Sequence, residues 1–217
     1  MKIYHGSDKL NGLPTFGAGK ATNDYGIAFY CTENKDLAKE WACPTNENNG
    51  IVNEYEISLK DLKIIDLSKK PYGVLNWIAV LLKFRKFDLN NAVSIAARDF
   101  IIAQYYVDVS LYDVVIGYRA DDSYFQYAQD FVKNTISVEK LSLAMELGHL
   151  GKQIALISQK AFDKLVFVSS ETVDKNIYYV SRMHRDIRAR EDYSKMKSEI
   201  DNATNETYII DLMRKKN

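Results

Sequence analysis

Short apolar and aromatic runs recur along the whole chain, and most are separated by stretches in which apolar residues return at helical spacing. Runs of about four to eight residues rich in aromatic and β-branched side chains are typical of strands, so the pattern predicts a mixture of strands and helices. The predicted strands are Lys2–His5, Ala28–Cys31, Ile51–Ser58, Leu62–Leu67, Asp113–Gly117, Gln153–Ile157 and Leu165–Ser169.

Helical spacing is clearest between Leu75 and Tyr106, where we predict two helices with a break near Asp88. Thr32 and Ser137 stand where N-terminal caps are expected, ahead of two of the other helical stretches. These remaining predicted helices are Glu33–Trp41, Tyr124–Lys133 and Val138–Leu147.

The chain has three prolines and neither an internal repeat nor a low-complexity tract, which favours one domain, taken as residues 1–173. After residue 173 the composition changes, because arginines alternate with acidic residues. We interpret residues 174–217 as a charged helical extension that packs on the domain or on a partner. A solvated face is expected for its arginines, with a partner or nucleic-acid surface as the alternative; they are Arg182, Arg185, Arg188 and Arg190.

Charge and cysteine content narrow the class of protein. The 29 basic and 29 acidic side chains cancel, so no overall positive field favours non-specific nucleic-acid binding, although a local basic groove remains compatible with this balance. Cys31 and Cys43 are too few for a disulfide framework, and we expect two free, buried thiols in a reducing compartment. The most apolar stretch, Trp77–Leu82, is far shorter than the ~20 residues that cross a bilayer. With no secretory signal in residues 1–8, we expect a cytoplasmic protein without a membrane span.

Several common catalytic motifs are absent. The histidines, at positions 5, 149 and 184, are spaced too widely for the zinc-protease motif, so we predict no metal site. The chain also has no nucleophile elbow, no phosphate-binding P-loop and no complete dinucleotide-binding glycine motif. His149 and His184 are interpreted as a loop residue and a solvated helix residue.

The most specific pattern lies in the first part of the chain. Tyr4-His5-Gly6-Ser7 ends the first predicted strand, Tyr25-Gly26-Ile27-Ala28-Phe29-Tyr30 leads into the second, and Trp41 follows on a predicted helix. This set resembles the His-Tyr-Glu branch of the ADP-ribosyltransferases, which includes the poly(ADP-ribose) polymerases and the diphtheria-type toxins. In this resemblance His5-Gly6-Ser7 matches the first motif, Tyr30 takes the place of the tyrosine, and Trp41 falls where the second aromatic residue lies.

The segment looks still more like a bacterial domain-of-unknown-function family of toxin-like transferases, whose members are often encoded beside a small antitoxin-like protein. This resemblance covers most of residues 1–170. It implies an α+β ADP-ribosyltransferase fold: a split, mostly antiparallel β-sheet core with a helical insertion at about 74–106 and the C-terminal helical extension. It also implies NAD as a substrate, a macromolecular acceptor, and a small antitoxin-like protein as a partner.

The implied reaction breaks the glycosidic bond of NAD through an oxocarbenium-like state, so positioning and charge placement supply most of the catalysis. Gly6 allows its backbone to approach the nicotinamide carboxamide, and His5 beside it is placed to bond a ribose hydroxyl. Tyr30 and Trp41 are expected to sandwich the nicotinamide ring. The candidate NAD-binding residues are His5, Gly6, Ser7, Tyr25, Tyr30 and Trp41.

The third member of the catalytic set departs from the family. Where the family has a glutamate at the start of a late strand, this chain has Gln153, which forms hydrogen bonds but carries no charge. Two other acidic pairs are considered as replacements: Glu54 and Glu56, and Asp121 and Asp122, for which a helix cap is the simpler interpretation. The candidate catalytic residues are His5, Tyr30 and Gln153.

Three functional hypotheses follow. The first is an NAD-dependent mono-ADP-ribosyltransferase that modifies a macromolecule, as a bacterial toxin or defence effector. The second is an NAD- or ADP-ribose-binding module of the same fold, inactive or weakly active because Gln153 has replaced the acid. The third is an enzyme similar to the RNA 2′-phosphotransferases, which requires basic residues facing a phosphate.

Overall fold

Two β-sheets form the centre of the molecule. The computed structural model describes residues 1–8, 12–120, 122–147, 151–198 and 206–215. One sheet has the strand order β1-β3-β7 and the other the order β2-β6-β5-β4. The strands are β1 (Lys2–Ser7), β2 (Phe29–Cys31), β3 (Gly50–Ile57), β4 (Ile64–Asp66), β5 (Val114–Tyr118), β6 (Lys152–Leu156) and β7 (Leu165–Val173).

The pairing is antiparallel except between β4 and β5, which run parallel. The fold is therefore α+β with mostly antiparallel sheets, as expected. The two sheets come together at an isolated bridge between Tyr4 of β1 and Thr32, the residue after β2. Each of these residues donates its N–H to the other's carbonyl, at 2.8 and 2.9 Å. This bridge brings the first two sequence motifs side by side.

Eight α-helices lie in the described part of the chain. The predicted break near Asp88 is confirmed, because one helix ends at Phe84 and the next begins at Ala92. Ser137 caps its helix as predicted. Thr32 was expected to cap the first helix, but that helix begins later and Asn34 is the cap, its side chain accepting the N–H of Leu37. The helices are α1 (Lys35–Ala42), α2 (Val74–Phe84), α3 (Ala92–Tyr105), α4 (Asp122–Val132), α5 (Val138–Ala144), α6 (Gln159–Phe162), α7 (Lys175–Ser198) and α8 (Ile209–Arg214).

The most apolar stretch of the sequence is a core helix. Residues Trp77–Leu82 of α2 are all buried, and α3 packs along α2. Burial of such side chains contributes roughly 1.5–3 kcal/mol each, so this helical pair is a large part of the core. None of the described helices has both the length and the apolar character that crossing a membrane requires. The two cysteines are buried and free, as predicted.

The C-terminal extension packs on the domain through α7. Tyr193 is buried, stacks on Tyr127 with ring centroids 4.0 Å apart, and donates its hydroxyl to Asp130 at 2.8 Å. Arg185, one of the row of arginines, pairs with Glu40 of α1 at 2.8 Å. The mostly exposed surface of α7 agrees with the prediction of a solvated helix, anchored here by a few buried contacts.

Candidate functional site

A cavity of about 240 Å³ gathers residues from distant parts of the chain. Its walls come from β1, β2, α1 and β6, from the loop before β2, and from the segments that follow α2 and β5. The lining residues are His5, Gly6, Asn23, Asp24, Tyr30, Trp41, Arg85, Arg119, Ala120 and Gln153. Five of the candidate residues from the sequence, His5, Gly6, Tyr30, Trp41 and Gln153, are among them.

Gly6 is required by the packing of β1 against α1. A Cβ atom at this position would lie 1.9 Å from the carbonyl oxygen of Ala38 and 2.7 Å from the nitrogen of Ala42, both in the backbone of α1. Backbone atoms of a helix do not move aside as a flexible side chain does. The absence of a side chain therefore places Trp41, which lies between these two residues on α1, at the same cavity as β1.

His5 is fixed by the neighbouring motif. Its Nδ1 lies 2.7 Å from the carbonyl oxygen of Tyr30. Because a carbonyl only accepts, Nδ1 carries the proton and Nε2 is left as an acceptor. Burial lowers the pKa of His5 and outweighs the opposing effect of this hydrogen bond, which favours the neutral ring. His5 thus offers a hydrogen-bond acceptor to a hydroxyl group in the cavity.

Tyr30 is held by the loop that leads into β2. Its hydroxyl donates to the Gly26 carbonyl at 2.8 Å and accepts the Tyr25 N–H at 3.0 Å. Gly26 has φ +77°, a left-handed conformation, and a side chain there would meet the ring of Phe84. Burial raises the pKa of Tyr30, so its hydroxyl stays protonated. The phenol oxygen is engaged with backbone, which leaves the ring as the surface Tyr30 presents.

Tyr25 lies behind the cavity wall rather than on it. The side chain is buried, and its hydroxyl donates to the carbonyl of Tyr118 at 2.7 Å. The ring is nearly parallel to that of Tyr30, with centroids 6.4 Å apart. Tyr25 therefore supports Tyr30 from behind.

A cation lies over one face of the Trp41 ring. The guanidinium carbon of Arg119 lies 4.3 Å from the ring centroid, within the range of a cation–π contact. The indole Nε1 is buried and finds no hydrogen-bond partner among the described residues. Trp41 and Tyr30 line the same cavity, and the structure pairs each with a different neighbour, Arg119 and Tyr25.

Gln153 is buried at the start of β6, and two hydrogen bonds fix the orientation of its side-chain amide. Its Nε2 donates to Asp24 Oδ2 at 2.7 Å and to the carbonyl of Tyr118 at 3.0 Å. Both partners are acceptors, so the amide must turn its nitrogen toward them. Its Oε1 makes no hydrogen bond within the described part of the chain. The position predicted for the catalytic group therefore holds an oriented acceptor.

Sequence reasoning missed three charged residues of the site: Asp24, Arg85 and Arg119. Asp24 lies directly before Tyr25-Gly26, and an acid adjoining a recognised motif was the available signal. It accepts hydrogen bonds from Arg85 Nη1 at 3.1 Å and from the Ala120 N–H at 2.8 Å. One carboxylate and two guanidinium groups leave this lining with a net positive formal charge when His5 is neutral, which suits an anionic ligand.

The other candidates lie elsewhere. Ser7 ends β1 opposite Ile51 and is not in the cavity lining. Glu54 pairs with Lys2 at 2.8 Å, and neither it nor Glu56 lines the cavity. Asp121 and His149 fall outside the described residues, as does the side chain of Asp122, the first residue of α4, while His184 is an exposed residue of α7.

A second cavity of about 600 Å³ adjoins the first. His5, Asn23 and Tyr30 line both cavities, so these side chains form a shared wall. The remaining lining includes the Gly17-Ala18-Gly19-Lys20 segment of the loop before β2. The two cavities are therefore neighbours that meet at these three side chains.

Comparison with known proteins gives one match. The model of a family described as "Protein of unknown function (DUF3990)" matches residues 1–167. No curated protein and no solved structure matches the chain. The match begins at the first strand and ends inside β7, so it includes all the residues that line both cavities.

Proposed function

The chain belongs to the DUF3990 family of proteins of unknown function, and we propose that it is an NAD-dependent mono-ADP-ribosyltransferase with an ADP-ribosyltransferase fold. The observation that carries this proposal is the convergence of His5, Gly6, Tyr30, Trp41 and Gln153 on one cavity. These residues come from β1, β2, α1 and β6, and their motifs resemble those of the His-Tyr-Glu branch.

The chemistry of the cavity fits the two halves of NAD. His5 Nε2 and Gln153 Oε1 are acceptors for ribose hydroxyls, and the rings of Tyr30 and Trp41 are surfaces for the nicotinamide. Arg85 and Arg119 suit the pyrophosphate. Ligand pockets commonly measure about 300–1,000 Å³, so the smaller cavity suits one half of the dinucleotide and the adjoining one the remainder.

A second candidate function rests on Gln153. A neutral amide at the position of the family's glutamate favours a module that binds NAD or ADP-ribose without transferring it. The third hypothesis, an enzyme similar to the RNA 2′-phosphotransferases, is supported by the two arginines that line the cavity. Under the leading proposal the acceptor is a macromolecule, and the biological role is that of a bacterial toxin or defence effector held in check by a small antitoxin-like protein.

One incubation separates these functions. The purified protein is mixed with a bacterial lysate and NAD labelled in its adenylate half, and free nicotinamide and label in protein, RNA and DNA are measured. We expect nicotinamide release and label in a macromolecule, both lost in His5→Ala and kept in His184→Ala, a matched change on the exposed surface of α7. Bound but intact NAD indicates the binding module, and label confined to RNA favours the enzyme similar to the RNA 2′-phosphotransferases over a protein-directed transferase.

A further inference from the structure

Asp24 is a carboxylate buried at the cavity, only 5% exposed. Aspartate is rarely buried unless its charge is compensated, because removal from water disfavours the ionised form. Burial does raise the pKa of Asp24, and hydrogen bonds from Ala120 and Gln153 and the charges of Arg85 and Arg119 oppose this rise. Three hydrogen-bond donors, one of them the Arg85 guanidinium, therefore surround a carboxylate in a place where its charge is costly.

The partners of Asp24 use its two oxygens unequally. Oδ2 accepts both the Gln153 Nε2 at 2.7 Å and the Ala120 N–H at 2.8 Å. Within the described part of the chain, Oδ1 accepts only from Arg85 Nη1, at 3.1 Å, and the side chain of Arg85 is 30% exposed. Oδ1 therefore retains acceptor capacity, whereas Oδ2 is committed to the backbone and to Gln153.

The hydrogen bond between Asp24 and Gln153 also determines which atom of the Gln153 side chain is open to a ligand. Since Nε2 is directed at Asp24 Oδ2 and the Tyr118 carbonyl, Oε1 is the atom left for a ligand. The carboxylate and the amide, from the loop before β2 and from β6, are joined by this hydrogen bond, and each offers an acceptor at one cavity. Two acceptors on bonded side chains suit a pair of donors such as the cis hydroxyls of a ribose.

We propose that Asp24 is the catalytic carboxylate of this site and that it supplies, beside Gln153, the negative charge that Gln153 lacks. The inference rests on the proposed NAD-dependent activity. A carboxylate already in place stabilises positive charge developing on the ribose without having to reorganise in the transition state. Burial of Asp24 strengthens that interaction, because little water is left to screen the charge.

The proposed reaction requires only NAD and the acceptor, or water in the case of hydrolysis. The bond between C1′ of the ribose and the nicotinamide nitrogen breaks, and its electron pair stays on the nitrogen, which becomes neutral. C1′ takes up the positive charge, which the Asp24 carboxylate stabilises. A lone pair of the acceptor, or of water during NAD hydrolysis, then forms the new bond to C1′, and the acceptor's proton passes to solvent. Asp24 neither gains nor loses a proton in this step.

A purely structural role for Asp24 predicts something different. Its hydrogen bonds tie the loop before β2 to the segments after α2 and β5 and to β6. If that tie were its only role, removing the charge would lower the melting temperature and NAD affinity together, and any variant that restored the fold would restore turnover.

The test compares Asp24→Asn with the double variant Asp24→Asn, Gln153→Glu, which exchanges the acid and the amide across the same hydrogen bond. Nicotinamide release, dissociation constants for NAD and NADH, and melting temperature are measured for each. Asp24→Asn is expected to bind NAD but to lose turnover about 100- to 1000-fold, the range seen when one preorganised electrostatic group is removed. The exchange should recover at least ten-fold over Asp24→Asn. The matched control is Glu54→Gln, which removes a carboxylate that pairs with Lys2 and does not line the cavity; its turnover should equal that of the wild type.

The outcomes separate this inference from the proposed function. Wild-type turnover that persists within about three-fold in Asp24→Asn overturns the role of Asp24 alone, as does a folded exchange variant with no recovery. If the wild type binds NAD without releasing nicotinamide, the enzymatic proposal fails. The effect of the Asp24 charge is then measured from the dissociation constants. The wild type should bind NAD, whose nicotinamide is cationic, more tightly than NADH, whose ring is neutral. Asp24→Asn should abolish this difference. An unchanged preference overturns the inference, and a wild type that does not bind NAD removes both proposals.

Discussion

The hydroxyl of Tyr30 donates to the carbonyl of Gly26, four residues earlier, at 2.8 Å. It also accepts the N–H of Tyr25, so one phenol oxygen closes the loop that carries the second motif. This arrangement separates the two functions of the residue: the oxygen holds the loop, and the ring faces the cavity.

Tyr30→Phe should therefore lower stability while sparing ligand binding. Two backbone groups lose their partner, at a cost of roughly 1–3 kcal/mol in the free energy of unfolding. NAD affinity should stay within a few-fold of the wild type, whereas Tyr30→Ala should lose it because the ring is gone. Denaturant unfolding and calorimetric titration give the two quantities. A loss of affinity in Tyr30→Phe equal to that in Tyr30→Ala would show that the hydroxyl itself meets the ligand.

Gly6→Ala is expected to be severely destabilising. The added Cβ would overlap the Ala38 carbonyl, so α1 must move away from β1, and overpacking of this kind costs about 1–3 kcal/mol or more. Gly73→Ala is the control, since a Cβ there meets nothing within 4 Å. Melting temperatures of both variants decide the point, and a Gly6→Ala variant as stable as Gly73→Ala would contradict the packing argument.

Trp41→Ala and Tyr25→Ala should separate binding from stability. Trp41 is half-buried and lines the cavity, so its loss should weaken NAD binding more than it lowers the melting temperature. Tyr25 is buried and bonded to Tyr118, so Tyr25→Ala should lower stability by about 3–5 kcal/mol, as expected for a large aromatic core residue. The reverse pattern, with Tyr25→Ala folded and unable to bind, would place Tyr25 on the ligand.

Gln153→Glu as a single change should lower stability near neutral pH. It brings a second carboxylate to the position that now lies 2.7 Å from Asp24 Oδ2, and two carboxylates this close do not both ionise readily. Repulsion between the two carboxylates raises the pKa of the pair above its value in the unfolded chain. The loss of stability should therefore shrink as the pH falls toward 4 and the pair takes up a proton. Melting curves between pH 4 and 8, with Gln153→Ala as the uncharged comparison, measure it. A pH-independent loss would indicate a steric cause.

His5 should make stability depend on pH. Its pKa in the folded protein is lowered by burial, so below the unfolded pKa of about 6.5 the unfolded chain binds more protons than the folded one. Stability is therefore retained above this pH and lost progressively as the pH falls toward the folded pKa. His5→Asn keeps a donor toward the Tyr30 carbonyl but does not titrate, so its melting temperature should fall less steeply between pH 7 and 5. Parallel profiles would assign the pH dependence to other groups.

The sequence predicted the parts of the site that are organised by local motifs. His5, Gly6, Tyr30 and Trp41 were identified because their order and spacing form a recognisable set, and the late strand was found from its apolar run. Asp24 was not, because an acid in a loop rich in glycine and asparagine has the same local signature as a solvated turn. Its burial depends on Gln153 and Ala120, whose proximity arises only when distant segments pack together.

Prediction of the fold from the sequence likewise succeeded only where local patterns determine the structure. The helix break near Asp88 and the cap at Ser137 follow from local patterns and are confirmed, while the cap of α1 is Asn34 instead of Thr32. Thr32 is drawn into the bridge with Tyr4, a long-range pairing that outweighs its local preference. Division of the strands into two sheets likewise depends on such pairings.

Asp24 also has a consequence for the order of folding. It bonds residues that lie 61, 96 and 129 positions further along the chain, and contacts at such separation form slowly because long loops must close first. The cavity therefore assembles after the local elements around it. A chain interrupted before β6 would contain both N-terminal motifs but no cavity wall at Gln153. Fragments or fusions of this protein should retain β6 if ligand binding is to be studied.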